Sequence, residues 1–180
     1  MSFYGTVGEA DAYHSMRGND SWSALSTPAK EAALVRAADY IDRFFVEKLA
    51  SGRYSSLWCG KQVTTTQPRA FPRDGVTFYG EAVGDNITPT AIEEASYEAA
   101  LREASTPGSL LPDYTENTTS GAVVQETVGP LTIKYSDMSK ERRDHLWGGR
   151  PPNMPVIPTI DGMVAGYLCR RLEGPAVRVV

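Results

Sequence analysis

The chain has 180 residues, a formal net charge of −4 and a hydrophobic fraction of 41%. This length suits one domain, or one domain with an appendage, and is enough to bury a core. The acidic balance argues against a dedicated duplex-DNA-binding protein, which normally carries a basic patch. We find no signal peptide and no apolar run of about 18 residues, so we expect a soluble protein with no membrane partner.

The two cysteines, Cys59 and Cys169, are far apart in the sequence and do not form a metal-binding pair. We expect both to be reduced thiols in a cytosolic product. The sequons at Asn86 and Asn117 are then chance matches.

A capping box opens the first predicted element. Thr6 and Glu9 have the spacing at which the two residues satisfy each other's backbone donors. This motif predicts a short helix over residues 7–16, with Ala10 and Tyr13 facing inward.

Residues 27–49 form the segment with the clearest helical pattern. Thr27 is expected to cap this helix, and Pro28 suits its first position. Gly52 follows the last predicted turn and can stop the helix. Apolar residues recur at three- and four-residue steps and should form its buried face: Leu34, Ala37, Ala38, Ile41 and Phe45.

A polar loop rich in glycine, proline and aromatic residues follows over residues 51–85. A loop of this length is unusual in a compact domain, so it is either functional or ordered by a partner. Thr88 then repeats the capping pattern and predicts a helix over residues 89–105. Because that helix carries apolar residues on two sides, we expect it to be covered on both.

The pattern changes after a linker over residues 106–121. Alternating residues around Gly129 and Pro130 predict a β-hairpin over residues 123–135. A second irregular arm covers residues 138–158.

A short closing helix is predicted over residues 159–172, and a strand-like tail over residues 176–180. Ile160, Val164 and Leu168 share one face of this helix. The predicted fold class is therefore mainly α: a small helical bundle with a β-hairpin, long irregular arms and an extended C-terminal tail. We assign residues 1–110 to a helical core domain and residues 111–180 to oligomer and partner contacts.

Catalytic and metal-binding patterns are absent from the sequence. His14 and His145 lie in no metal spacing, and surface or capping roles are expected for both. Gly60 and Lys61 resemble the end of a phosphate loop, but Ser55 replaces its first glycine and Gln62 its Ser or Thr. Acidic neighbours such as Asp39 and Asp42 suit a solvated helix face. We predict no catalytic residue, no metal site, no cofactor and no enzymatic activity.

The long loop also combines aromatic and basic residues, as surfaces that stack the bases of single-stranded nucleic acid do. This combination predicts, as an alternative function, a single-stranded-DNA-binding module of a replication complex. The acidic net charge argues against it. The residues concerned are Trp58, Phe71 and Tyr79 with Lys61, Arg69 and Arg73.

The order and spacing of several segments resemble the head–tail connector (adaptor, or head-completion) proteins of tailed bacteriophages. Sequences of this pattern are also labelled DnaT-like single-stranded-DNA-binding proteins. Phe71 stands where that pattern generally has tryptophan. The resemblance covers about residues 6–105 and is carried by residues 9–13, Trp22, and residues 30–42, 71–75 and 89–95.

This resemblance implies a structural virion protein: a homo-oligomeric adaptor ring, commonly twelvefold, in the neck of the particle. Such a ring binds the portal protein on one side and a stopper or tail-completion protein on the other. It lines the channel for double-stranded genomic DNA, with roles in genome packaging and DNA ejection. The protein would be made in the host cytoplasm, and the hairpin and tail would serve ring contacts.

Overall fold

A computed structural model of the chain describes residues 2–48, 54–78, 80–111, 125–128, 131–134 and 154–169. Within these ranges the helices are α1 (Val7–Met16), α2 (Asp20–Ser23), α3 (Thr27–Phe44), α4 (Thr90–Ser105) and α5 (Pro158–Val164), followed by a 3₁₀ turn at Ala165–Tyr167. The strands form four two-stranded antiparallel pairs. The expected mainly α fold is confirmed.

One of the two predicted capping-box hydrogen bonds forms at the start of α1, whose predicted bounds are confirmed, whereas the Glu9 carboxylate bonds the Thr6 hydroxyl and not its backbone N–H. The backbone N–H of Glu9 donates to the Thr6 hydroxyl at 3.2 Å, and that hydroxyl donates to the Glu9 carboxylate at 2.8 Å. Ala10 and Tyr13 are buried, as predicted. The surface role expected for His14 is wrong, because its ring is fully buried beside Trp22, with ring centroids 4.6 Å apart.

Helix α3 begins as predicted but ends five residues early, at Phe44. Its N-cap is Ser26 rather than Thr27, and no side chain caps it. Leaving the helix at Phe45 lets two consecutive aromatic rings enter the core, and both are fully buried. The predicted final turn is instead strand β1 (Val46–Lys48), which pairs with β2 (Tyr54–Ser56).

The core lies where α3 packs along α4, with α1, α2 and α5 against α4. All five apolar residues predicted for the buried face of α3 are fully buried. Helix α4 is also buried on two sides, as predicted, although Pro89 rather than Thr88 occupies its N-cap position. Glu103, near the end of α4, is buried and accepts from the N–H groups of Gly108 and Leu110.

The long loop is ordered by contacts within the chain. Short strand pairs subdivide it: β3 (Lys61–Gln62) with β4 (Arg73–Asp74), and β5 (Thr77–Phe78) with β6 (Glu81–Ala82). Its Gln67 side chain donates to the carbonyls of Arg69 and Pro72 and accepts from the N–H of Thr64. These hydrogen bonds and strand pairs hold the described part of this loop together within the chain.

The hairpin is confirmed as β7 (Gln125–Val128) paired with β8 (Leu131–Lys134). Helix α5 is shorter than predicted, although Ile160 and Val164 are buried as expected. Leu168 was predicted to lie on the same helical face, but the chain is extended there and bridges Trp58. The backbone must leave the helix to make this contact.

Several predicted features lie outside the described residues: the linker beyond residue 111, most of the arm over residues 138–158, His145, Tyr79 and the tail over residues 176–180. The division into domains at residue 110 stays a prediction. Among the helices that the structure describes, none is long and apolar enough to cross a lipid bilayer.

Candidate nucleic-acid interface

Two aromatic residues of the long loop, Trp58 and Phe71, belong to the core. Trp58 and Phe71 are each 3% exposed, and their ring centroids lie 5.1 Å apart. Phe45 packs on the other side of Trp58, at 4.8 Å. The prediction that these rings stack bases is therefore wrong for Trp58 and Phe71, because the loop folds back and buries them.

Arg69 joins the loop to α3 and to the start of the chain. Its guanidinium contacts the carboxylates of Asp39 at 2.6 Å and Asp42 at 3.2 Å, and donates to the carbonyl of Ser2. Burial alone would lower the pKa of Arg69, but the hydrogen bonds that it donates to these two carboxylates raise it. Arg69 is thus neutralised by two acids, and the solvated role expected for Asp39 and Asp42 is wrong.

Asp42 completes this polar network. Its carboxylate accepts from the Tyr4 hydroxyl and from the N–H of Ala70 as well as from Arg69. Burial nevertheless raises the pKa of Asp42, because the lost hydration of the carboxylate outweighs these hydrogen bonds. The network fixes the loop against α3 and leaves little free charge.

Arg73 is held differently, by three backbone carbonyls and by the Phe71 ring, whose centroid lies 6.0 Å from its guanidinium carbon. Nε donates to the carbonyl of Cys59 at 2.7 Å, one Nη to Gly60 at 2.8 Å and the other to Ala70 at 3.2 Å. The residue is 6% exposed, and no described carboxylate pairs with it. Burial lowers the pKa of Arg73 because nothing nearby fully replaces the lost water.

Gly60 allows this arrangement. Its φ is +67°, and a Cβ there would lie 2.1 Å from the carbonyl oxygen of Asp74 on the paired strand. Only glycine tolerates both conditions. Residue 60 therefore presents its carbonyl to Arg73 while the two strands stay in register.

An open cleft of about 640 Å³ lies over these groups. Lys61, Arg69 and Arg73 line it, and Asp42 is the one carboxylate among the lining residues. Lys61 stands at the rim, with a side chain that is 80% exposed and 3.1 Å from the Asp74 carboxylate. Three cations and one carboxylate therefore line the described part of the cleft, and Asp39 and Asp74 contact two of these cations from outside the lining.

The family model described as "Putative DnaT-like ssDNA binding protein" matches residues 2–180. The chain belongs to this DnaT-like family. No curated protein and no solved structure matches the chain significantly.

Membership of the DnaT-like family corrects the function expected above. The structural virion protein, with its adaptor ring, portal binding and DNA-ejection role, is wrong as the main interpretation, and the family description agrees with the single-stranded-DNA alternative. The loop that suggested a need for neighbouring subunits is instead ordered within the chain. The partners and the neck location depend on the adaptor role and stay untested predictions.

The cysteines of this DnaT-like protein form a disulfide between Cys59 and Cys169, so the expectation of two reduced thiols is wrong. Backbone hydrogen bonds run beside it: Cys59 N–H donates to Tyr167 at 2.9 Å, and Cys169 N–H donates to Leu57 at 2.8 Å. Both cysteines line the cleft. The disulfide therefore joins the segment that carries Arg73's acceptors to the end of α5.

Sequence reasoning named the three cations of the cleft and missed the groups that control them. Asp42 and the two cysteines are 27 to 110 residues from their partners, and no local pattern connects such positions. Among the described residues, no group of three or more His, Cys, Asp or Glu could hold a metal ion.

Proposed function

We propose that this protein binds single-stranded DNA through the sugar–phosphate backbone of the strand, in the cleft described above, with Lys61 and Arg73 as the cations that contact the phosphates. The observation that carries the proposal is a concentration of cations in one cleft of a DnaT-like family member. Phosphate contacts by such cations supply most sequence-independent affinity for nucleic acids.

Local charge matters more here than the net charge of −4. The Debye length is about 10 Å at 0.1 M salt, so carboxylates on distant faces are largely screened. Because Trp58 and Phe71 are buried, the proposal does not use base stacking on these rings. We therefore expect weak sequence preference and strong dependence on salt.

The test is fluorescence anisotropy with a labelled oligothymidylate across a range of salt concentrations. If Lys61 and Arg73 each neutralise one phosphate, they contribute about −1.4 to the slope of log affinity against log salt. An unlabelled duplex of equal length serves as competitor, and competition at least as strong as that of unlabelled oligothymidylate would refute the assignment to single strands. Absence of binding at low salt, or binding that is independent of salt, would refute the proposal.

Two substitutions at the edge of the cleft change its charge in opposite directions and test the proposal further. Lys61→Gln should weaken binding and make the slope shallower by about 0.7. Asp74→Asn should strengthen binding, because it frees Lys61 and removes a negative charge beside it. Arg102→Gln, an exposed change on α4 outside the cleft, is the matched control and should leave both quantities unchanged.

A further inference from the structure

Arg73 differs from the other cations of the cleft in having no acid partner. Arg69 contacts two carboxylates and Lys61 contacts one. Arg73 contacts three carbonyl oxygens, which accept hydrogen bonds but carry no full negative charge. Within the described residues, the cleft therefore contains a buried guanidinium charge that is not neutralised.

Hydrogen bonding leaves part of this guanidinium unused. Arginine has five N–H donors, and Arg73 uses three of them on the carbonyls of Cys59, Gly60 and Ala70. The remaining two have no partner among the described residues. The side chain is already oriented by the three carbonyls, so an anion would bind it at little further cost in conformational entropy.

A second donor in the cleft has no acceptor either. Trp58 lines the cleft, and its buried indole N–H makes no hydrogen bond with any described residue. Buried donors without acceptors are rare and costly. The Trp58 N–H is enclosed, so the group in the cleft that can receive a ligand is the Arg73 guanidinium, whose charge and two unused donors indicate an anionic acceptor with several oxygens.

Phosphate fits these requirements. The planar guanidinium pairs with phosphate oxygens through directed, charge-assisted hydrogen bonds. The neighbouring rim residues, Lys61 and Gln62, add a cation and an amide beside Arg73 on the paired strand. A strand entering the cleft would contact the exposed Lys61 before the buried Arg73.

We infer that the Arg73 guanidinium is the phosphate-binding group of the cleft and takes one internal phosphodiester of the bound strand. This inference depends on the proposed function. Arg69, by contrast, is a structural residue that holds the loop to α3 and makes no direct contact with the ligand. The two arginines therefore give a matched comparison within one loop.

The decisive experiment uses the unaltered protein with isotope-labelled arginine. The Nη–H signal of Arg73, assigned through its bonded neighbours in triple-resonance spectra of the unaltered protein, is followed during titration with three oligomers of equal length. An oligothymidylate and an abasic oligomer should both shift it, because both present phosphodiesters. An uncharged methylphosphonate oligomer should not.

Affinity measurements on variants supply a second readout. Arg73→Lys keeps the positive charge but loses the planar guanidinium with its several N–H donors. We therefore expect about tenfold weaker binding, as for one lost charge-assisted hydrogen bond. Arg69→Lys should lower stability yet leave the affinity of the folded protein within about twofold. If Arg73→Lys does not fold, the resonance experiment on the unaltered protein still decides.

The outcomes separate this inference from the proposed function. Binding of oligothymidylate with no shift at Arg73 would overturn the inference and leave the proposed function standing. No binding of any oligomer would overturn both. A preference of tenfold or more for a 5′-phosphorylated oligomer would overturn the assignment to an internal phosphodiester, because it would place a strand end in the cleft.

Discussion

Removing the disulfide between Cys59 and Cys169 should destabilise the protein substantially. The disulfide joins residues 110 positions apart. In the chain-entropy treatment, a loop of this length restricts the unfolded state by about 4.8 kcal/mol at 25 °C. Since domains of this size are stable by about 5–15 kcal/mol, the loss is a third or more of the total.

The native state should nonetheless survive reduction. The Cys59 and Cys169 backbone hydrogen bonds and the bridge between Trp58 and Leu168 hold the same two segments together without the sulfur atoms. We therefore expect a folded but weaker protein, whose midpoint in urea falls by about 2 M for a typical dependence on denaturant.

The assay is urea unfolding followed by circular dichroism, with and without a reductant, on the unaltered protein and on the Cys59→Ala/Cys169→Ala variant. Reductant should lower the midpoint of the unaltered protein to that of the variant and should not affect the variant. Thiol titration confirms that reduction is complete. A midpoint that stays unchanged after complete reduction, or free thiols before it, would refute the reasoning.

Three further substitutions, Glu103→Gln, Gly5→Ala and His14→Gln, test positions outside the cleft. Glu31→Gln and Gly18→Ala are the controls for the first two. Glu103→Gln should lower the free energy of unfolding in urea by about 2–3 kcal/mol, because one amide oxygen replaces a buried carboxylate that accepts from two backbone N–H groups. The control, Glu31→Gln at an exposed position, should change it by less than about 0.5 kcal/mol. Gly5→Ala should cost about 2 kcal/mol or more by thermal unfolding, since φ is +67° and the new Cβ would lie 1.8 Å from the Tyr97 hydroxyl. Gly18→Ala, with φ at +69° and open space, should cost only about half as much; equal losses would contradict the steric argument. Burial lowers the pKa of His14, although Glu98 and Asp11 nearby act in the opposite direction. The stabilisation that neutral His14 gives the folded protein is therefore complete above the pKa of the unfolded state and is lost as pH falls through the pKa of the folded state. This loss is no more than about 1.4 kcal/mol per pH unit. The free energy of unfolding, measured at pH 7.5 and 5.5, should show this loss in the unaltered protein and a smaller loss in His14→Gln. An equal loss in both proteins would contradict the assignment to His14.

The elements that could be predicted from the sequence are those fixed by local interactions. The capping box of α1 and the apolar period of α3 are read within a few residues, and both helices form where expected. The hairpin likewise depends on alternation around one turn. The ends of the helices were less predictable, because the chain departs from the helical conformation at Phe45 and Leu168. Both residues thereby contact Trp58, which is distant from Leu168 in sequence and follows Phe45 after strands β1 and β2.

The candidate site shows the same limit. Composition identified Lys61, Arg69 and Arg73 as a group, and the structure places all three in one cleft. Composition could not indicate that Trp58 and Phe71 point inward, since a loop of glycine, proline and aromatic residues has no period that marks a buried face. Nor could it distinguish Arg69, which is neutralised by acids of α3, from Arg73, which is not.

The burial of Trp22 and Trp58 also affects how binding can be monitored. Quenching of intrinsic tryptophan fluorescence by added oligonucleotide is commonly interpreted as stacking of bases on an indole ring. Trp147, the third tryptophan of the chain, lies outside the described residues. Trp22 and Trp58 are both enclosed, one beside His14 and one against Phe45 and Phe71. A change in their emission would therefore signal rearrangement of the protein interior, so a label on the oligonucleotide is the safer optical probe.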